Sequence, residues 1–302
     1  MNKYTILIAL SLLLSSMHSH AALRVVTTTQ DVAAIAMAIG GEQTKVQSLT
    51  PGTRDPHFAT AKPSMIRKVY GADLLVVIGA DMEIGWLPAL LSSARNTQVQ
   101  PGNIGHLDLS RHISLLGKIN APVSRAMGDV HANGNPHYWL NPRNGLLMAQ
   151  AIAKRLSELD PDNISVYQSR LKIFEETVKT KLTIWQKALL PLKNQSVIAY
   201  HTSFIYLADA FGFHIIDEVE PKPGISPSAA SLNALIANVK NNNVKLLITE
   251  PYYEQRSAKF IKRKTDLTIA VLPQSVGAFP NIKTYFDLFD NIVHALTRNG
   301  EK

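Results

Sequence analysis

Asp73-Leu74-Leu75-Val76-Val77-Ile78-Gly79 is a short, unbroken apolar run closed by glycine. Strict alternation would mark a strand with one wet face. A continuous run of this length marks a strand buried on both faces, as in a parallel sheet covered by helices. The flanking sequence fits that reading. Residues 23–29 form a β-branched run, and 31–39 read as a helix closed by Gly40-Gly41. Residues 45–49 read as a second strand before the Pro51-Gly52 turn, and 62–70 as a helix with Pro63 in its first turn. Strand alternating with helix predicts a layered α/β fold.

The second half repeats the alternation. Strands are expected at 196–200, 244–249 and 268–272, and helices at 202–211, 226–240, 256–264 and 282–298. Between the halves, residues 97–136 are less regular, with loops and short strands expected. Asn141-Pro142 then opens a helix, asparagine as N-cap and proline in the first helical position. Its apolar face runs through Leu146, Ala149, Ile152, Ala153 and Leu156, and Asp160-Pro161 ends it. Residues 163–190 then carry Tyr167, Leu171, Phe174, Val178, Leu182 and Trp185 at helical spacing, with Pro191 at the end. So long a helix reads either as a rigid strut between two lobes or as an ordinary packing helix.

The length of 302 residues suits two domains of about 130 residues each. The expected organisation is a leader at 1–21, an N-terminal α/β lobe at 22–160, a linking helix at 161–194 and a C-terminal α/β lobe at 195–302. Lys3 gives the leader its positive end, 4–16 is apolar but short for a bilayer, and Ser19-His20-Ala21 offers a cleavage site after Ala21. An uncleaved membrane anchor is the alternative. The chain has no cysteine, so disulfides, thiolate metal ligands and a cysteine-linked lipid anchor are not expected. The expected location is therefore the periplasm, in soluble form. A net charge of +8 raises the question of nucleic acid, but the basic residues are dispersed apart from Lys259-Phe260-Ile261-Lys262-Arg263-Lys264. That cluster reads as the solvated face of a helix, so no nucleic-acid partner is expected.

Three histidines stand where a loop meets an element: His57 in Asp55-Pro56-His57-Phe58, His137 in Asn135-Pro136-His137-Tyr138-Trp139-Leu140-Asn141-Pro142, and His201 at the end of Ser196-Val197-Ile198-Ala199-Tyr200. A lone histidine is more often a surface or core residue than a ligand. Three around the crevice beyond the carboxyl ends of strands make a candidate metal site, because neutral imidazole is the commonest metal ligand. His131 is a weaker candidate, on the loop before His137. His18 and His20 fall in the leader, and His106, His112, His214 and His294 lack a comparable setting.

At these residues the chain resembles the solute-binding receptors of zinc and manganese ABC importers, over nearly the whole mature length. Asp55-Pro56-His57 with Lys62-Pro63-Ser64, the segment from Asn135 to Pro142, His201-Thr202-Ser203-Phe204-Ile205-Tyr206-Leu207-Ala208, and Thr249-Glu250-Pro251 carry the resemblance. It implies two α/β lobes joined by one long rigid helix, with metal buried between them and His57, His137 and His201 as ligands. Family members often take a fourth, carboxylate ligand from a segment matching Leu272-Pro273-Gln274-Ser275-Val276-Gly277, which holds no Asp or Glu here. Water is then the first candidate for the fourth position. Glu250 is the second, as ligand or as partner of a histidine, and Asp55 the third. The long His-rich loop of zinc-selective members is reduced here to residues 127–134, with His131.

Three imidazoles suit Zn2+, whereas Mn2+ prefers more oxygen donors, so zinc is expected with Mn2+ or Fe2+ as the lesser possibility. The resemblance implies a monomeric receptor, not an enzyme, that delivers zinc to a membrane ABC permease; a periplasmic metallochaperone is a further candidate partner. Two rival readings remain. An exported zinc hydrolase would use Glu250 as base, although no His-Glu-x-x-His helix is present. An adhesin or zinc buffer would need no transporter.

Overall fold

The computed structural model describes residues 21–119, 131–220, 222 and 224–298. The expected leader, apart from Ala21, and most of the loop before His131 lie outside the described residues.

Two four-stranded sheets, every strand pair parallel, form the two halves of the molecule. The first contains β1 (Leu23–Thr27), β2 (Thr44–Ser48), β3 (Leu74–Val77) and β4 (His106–Asp108), in the order β2-β1-β3-β4. The second contains β5 (Ser196–Ala199), β6 (His214–Glu218), β7 (Leu246–Thr249) and β8 (Thr268–Val271), in the matching order β6-β5-β7-β8. The apolar run at Asp73–Gly79 is central β3, with all four of its residues buried, as is every residue of β7. In each sheet the order reverses beside the first strand, where chains leaving the carboxyl ends diverge and open a crevice.

Helices cover both faces. In the first half these are α1 (Gln30–Gly40), α2 (Pro63–Tyr70), α3 (Leu87–Ala94) and α4 (Pro142–Leu159). After the long α5 (Ile164–Ala188) come α6 (Ile205–Phe211), α7 (Ala229–Asn241), α8 (Arg256–Lys264) and α9 (Tyr285–Arg298). Asn141 caps α4 by accepting from the Arg143 amide at 2.9 Å, with Pro142 in the first turn. On α8, Ala258 and Ile261 are buried while Lys259, Lys262, Arg263 and Lys264 face solvent, so the basic cluster is a solvated helix face.

Three elements depart from the sequence reading. Strand β6 lies at a sheet edge and has no fully buried residue, so it lacks the continuous apolar signal of β3 and β7. Helix α3 opens on Trp86 without a side-chain cap, so Pro88 in its first turn is its only start signal. Helix α5 is shorter than 163–190, because 3-10 turns at Pro161–Asn163 and Leu190–Leu192 flank it.

Helix α5 touches both halves. Toward its start, Arg170 donates to Gly40 O at 2.5 Å and Gln43 Oε1 at 2.6 Å, beside the first sheet. Toward its end, Trp185 Nε1 donates to Asp290 Oδ1 at 2.8 Å and Lys181 Nζ meets Asp290 Oδ2 at 2.5 Å, on α9. The buried residues Tyr167, Phe174, Val178 and Trp185 of α5 join a single core that includes Val25, Ile35 and Leu74 from one half and Val197, Ile248 and Phe289 from the other. Two smaller clusters fill the outer faces of the two sheets. At the contact between α4 and α9, a Cβ on Gly145 would lie 2.3 Å from the Tyr285 hydroxyl oxygen, so only glycine allows this approach.

Candidate metal centre

Loops at the carboxyl ends of both sheets converge on one space. From the second half, His201 follows β5, Glu220 follows β6, Glu250 follows β7 and Gln274 follows β8. From the first half, His57 sits in a 3-10 turn (Pro56–Phe58) in the loop after β2. His137 immediately precedes a second 3-10 turn, Tyr138–Leu140, which leads into α4. The three histidines far apart in sequence are neighbours here. Their ring centroids are 5.1 Å apart for His57–His137, 5.9 Å for His137–His201 and 6.5 Å for His57–His201. All three are buried.

Each ring is held by its Nδ1. His57 Nδ1 lies 2.7 Å from Asp55 Oδ1, His137 Nδ1 2.9 Å from Asn135 Oδ1, and His201 Nδ1 3.1 Å from Glu220 Oε2. All three partners are oxygen acceptors, so a neutral ring donates Nδ1–H and keeps its lone pair on Nε2. Asn135 also donates through Nδ2 to Thr202 O at 2.9 Å, which ties the His137 loop to the residue after His201. Tyr253 packs against His201 at 5.7 Å between centroids and reaches Asp55 Oδ2 at 3.4 Å.

The fourth side is occupied by groups that the sequence ranked lower. His131 brings its Nε2 to 3.1 Å from His57 Nε2, with the rings 5.1 Å apart. Glu250 is fully buried, and its carboxylate makes no hydrogen bond of good geometry, although the Ser203 hydroxyl lies near enough to pull its pKa down. Ser203 Oγ and Gln274 Nε2 are likewise buried without partners. Glu250 does not hold a histidine; Glu220 does so for His201. Asp55 supports His57 through Oδ1, while Pro56 leads into the turn.

The electrostatics follow from burial and neighbours. Burial raises the Glu250 carboxyl to about 7, although the nearby His201 pulls it down. Burial, then the neighbouring His57, His201 and His131 rings, holds His137 well below the ordinary imidazole range. Burial also opposes charge on His201, but the Glu220 hydrogen bond and the Glu250, Glu220 and Asp55 carboxylates outweigh it and raise His201. Asp55 is lowered because its hydrogen bond and charge interaction with His57 exceed the burial penalty.

Distance decides how closed the cluster is. Four ligands at 2.0–2.1 Å around a tetrahedral ion would stand about 3.3 Å apart, with imidazole centroids about 5.3 Å apart. The His57–His137 and His57–His131 pairs match that spacing, whereas His201 stands back by up to about 1 Å. Among the described residues no group of three or more His, Asp or Glu side chains already meets metal-holding geometry. The rings are gathered, with His201 set farther from the other two than they are from each other.

Sequence reasoning placed His57, His137 and His201 and did not single out Glu220 or Tyr253. Glu220 follows an edge strand that lacked a signal. Asn135 lay in a quoted motif, but its double role requires knowing where Thr202 lies.

Comparison with known proteins agrees with this architecture. Residues 25–299 match the family model described as ZnuA, zinc-uptake complex component A, periplasmic. The chain is 27% identical over 258 residues to the metal ABC transporter substrate-binding lipoprotein SsaB of Streptococcus sanguinis, covering 82% of this chain and 78% of that one. It is 26% identical over 255 residues to the manganese ABC transporter substrate-binding lipoprotein PsaA of Streptococcus pneumoniae, with the same coverage of 82% and 78%. A crystal structure of ZnuA superposes with a TM-score of 0.75 at 26% identity, covering 93% of this chain and 99% of that one. A family model matching nearly all of the described chain, with the two-lobed fold around a buried histidine cluster, establishes that this chain belongs to the ZnuA family of extracytoplasmic substrate-binding proteins of metal ABC transporters.

Proposed function

We propose that this chain is a zinc receptor of the periplasm, with His57, His137 and His201 as ligands, which delivers its ion to a membrane ABC permease. The observation that carries the reading is the shared support of the three rings: each Nδ1 is bound outward to Asp55, Asn135 or Glu220, which turns the three Nε2 atoms toward one buried space, where His57 Nε2 meets His131. Three imidazoles suit zinc, and the family description supports that choice.

The fourth ligand goes to Glu250. A buried carboxylate with no hydrogen bond is costly, and a cation beside it removes that cost. His131, whose Nε2 rests against His57 Nε2, is a further candidate ligand on the same side of the site. The lobes are assigned as residues 22–160 and 195–302 with 161–194 between them, and residues 1–21 as a cleaved leader. The streptococcal relatives are named as lipoproteins.

A manganese receptor is the second reading. It is favoured by the two carboxylates close to the rings, Asp55 and Glu250, and by the relative named for manganese. Metal analysis of the purified mature chain, with competition between Zn2+ and Mn2+, decides between them. One zinc per chain, lost in His57→Ala, His137→Ala and His201→Ala, is the expected result. Preferential manganese retention would install the second reading, and retention in all three variants would overturn both. Saturable esterase or hydratase turnover by zinc-loaded protein would instead favour an enzyme.

A further inference from the structure

The loop after β8 belongs to the second half by sequence, yet the first half holds it. Asp31, in the first turn of α1 and fully buried, accepts from Ser275 Oγ through Oδ2 at 2.5 Å and from the Val276 amide through Oδ1 at 2.8 Å. Trp139 Nε1 donates to Gln274 O at 2.9 Å. A Cβ on Gly52 would lie 1.9 Å from Val276 O, so the loop that leads to His57 presses directly on the same backbone. Three segments of the first half thus clamp Gln274, Ser275 and Val276.

The clamp at Gln274 leads to the histidine cluster from both sides. The Trp139 ring packs on His137 at 5.2 Å between centroids. Gln274 accepts from the Tyr252 hydroxyl, and Tyr252 packs on Tyr253, which in turn contacts His201 and Asp55. A continuous set of contacts therefore runs from Asp31 through the loop to ligands contributed by both halves.

We infer that Asp31 is a positioning residue: by fixing the Gln274–Val276 loop to the first half, it holds the His201 side in register with His57 and His137, and so sets how long a captured divalent cation stays bound. The inference rests on the metal-receptor reading for its consequence, while the lock itself can be measured without metal. Burying the Asp31 carboxyl is costly in isolation, and its two inter-half hydrogen bonds offset that cost only while the loop is held in place. Supporting groups of this kind typically alter metal affinity by about 10–100-fold.

The test compares the native chain with Asp31→Ala, Asp31→Asn and Gly52→Ala. Asparagine can accept from Val276 N–H through its oxygen and donate to Ser275 Oγ through its amide, so it retains both contacts. Alanine removes both, and the Gly52 methyl displaces the loop from the other side. Hydrogen exchange of the Val276 amide in metal-free protein reads the lock. Spin labels at Ser92→Cys and Lys259→Cys, clean in a cysteine-free chain, read the inter-half distance. Zinc transfer to a chelator reads residence time.

The expected result is faster Val276 exchange, a broader label distance and at least about tenfold faster zinc release in Asp31→Ala and Gly52→Ala, with Asp31→Asn close to native. Native exchange and distance in Asp31→Ala would overturn the lock. A loosened lock with unchanged zinc release would overturn its role in positioning the site. Loss of metal from the native chain itself would instead refute the receptor reading, and the exchange and distance data would still judge the lock. Should Asp31→Ala fail to fold, Gly52→Ala and Ser275→Ala supply the same comparison.

Discussion

Glu220 and His201 follow neighbouring parallel strands and meet through Oε2 and Nδ1 at 3.1 Å, both nearly excluded from water. The same Glu220 oxygen accepts from the Gly224 amide at 2.9 Å, which fixes the carboxylate before any ion arrives. This pair gives the cluster its best-supported ring after His57 and His137. Glu220→Ala is therefore expected to weaken zinc binding by about 10–100-fold, and Glu220→Gln by less, because its carbonyl still accepts from Nδ1. Competition with a chelator of known affinity measures it; native affinity in Glu220→Ala would remove Glu220 from the site.

Glu250 sets function against stability. Its unpartnered, buried oxygens make the metal-free protein less stable than a neutral side chain would. In Glu250→Gln the metal-free form should gain about 1 kcal/mol, and the rise in melting temperature on adding zinc should shrink. Thermal melts with and without Zn2+ check both directions. A variant with an undiminished zinc-induced shift would exclude Glu250 as the fourth ligand.

Glu83 supplies a pH prediction away from the histidines. Its carboxylate accepts from Thr28 Oγ1 at 2.5 Å, Ile78 N at 2.9 Å and Gly79 N at 3.0 Å. Burial nevertheless raises it to about 7, against the pull of those bonds. Because the folded state binds this proton more tightly than the unfolded chain, the contribution is complete below the unfolded value of about 4.5 and is lost as pH rises through about 7. The stability of native protein relative to Glu83→Gln should fall by an amount on the order of 3 kcal/mol between those limits. Urea unfolding of the metal-free proteins across that range tests the sign; a relative stability that rises with pH would contradict it.

The long helix offers a structural prediction. Asp290→Ala leaves the buried Trp185 indole N–H without its acceptor and also removes the Lys181 contact. A loss of about 1–3 kcal/mol is expected, dominated by the indole, because the half-exposed ion pair contributes little. Zinc stoichiometry should be unchanged. Denaturant midpoints combined with metal analysis separate the two effects.

Much of the fold was legible because its signals are local. The apolar runs of β3 and β7, the Asn141-Pro142 start of α4 and the spacing from Tyr167 to Trp185 each lie within one element, and periodicity reads elements one at a time. Edge strand β6 and the uncapped α3 were missed for the same reason, since one lacks a buried run and the other a capping side chain. At the site, the sequence nominated His57, His137 and His201 because each stands at the end of a recognisable motif.

What the tertiary structure decided is everything that depends on two distant segments meeting. Sequence alone determined the layered α/β alternation and the absence of thiolate ligands; it ranked His131 only as a weaker candidate, quoted Asn135 without its role, and left Glu220 and Asp31 without distinguishing marks. Their roles arise only when parallel strands align their carboxyl ends and bring Glu220 to His201, Asn135 to Thr202, His131 to His57 and Asp31 to Val276. Hydrogen bonds act over about 3 Å, whereas these partners lie from tens to hundreds of residues apart along the chain, so no local pattern encodes them.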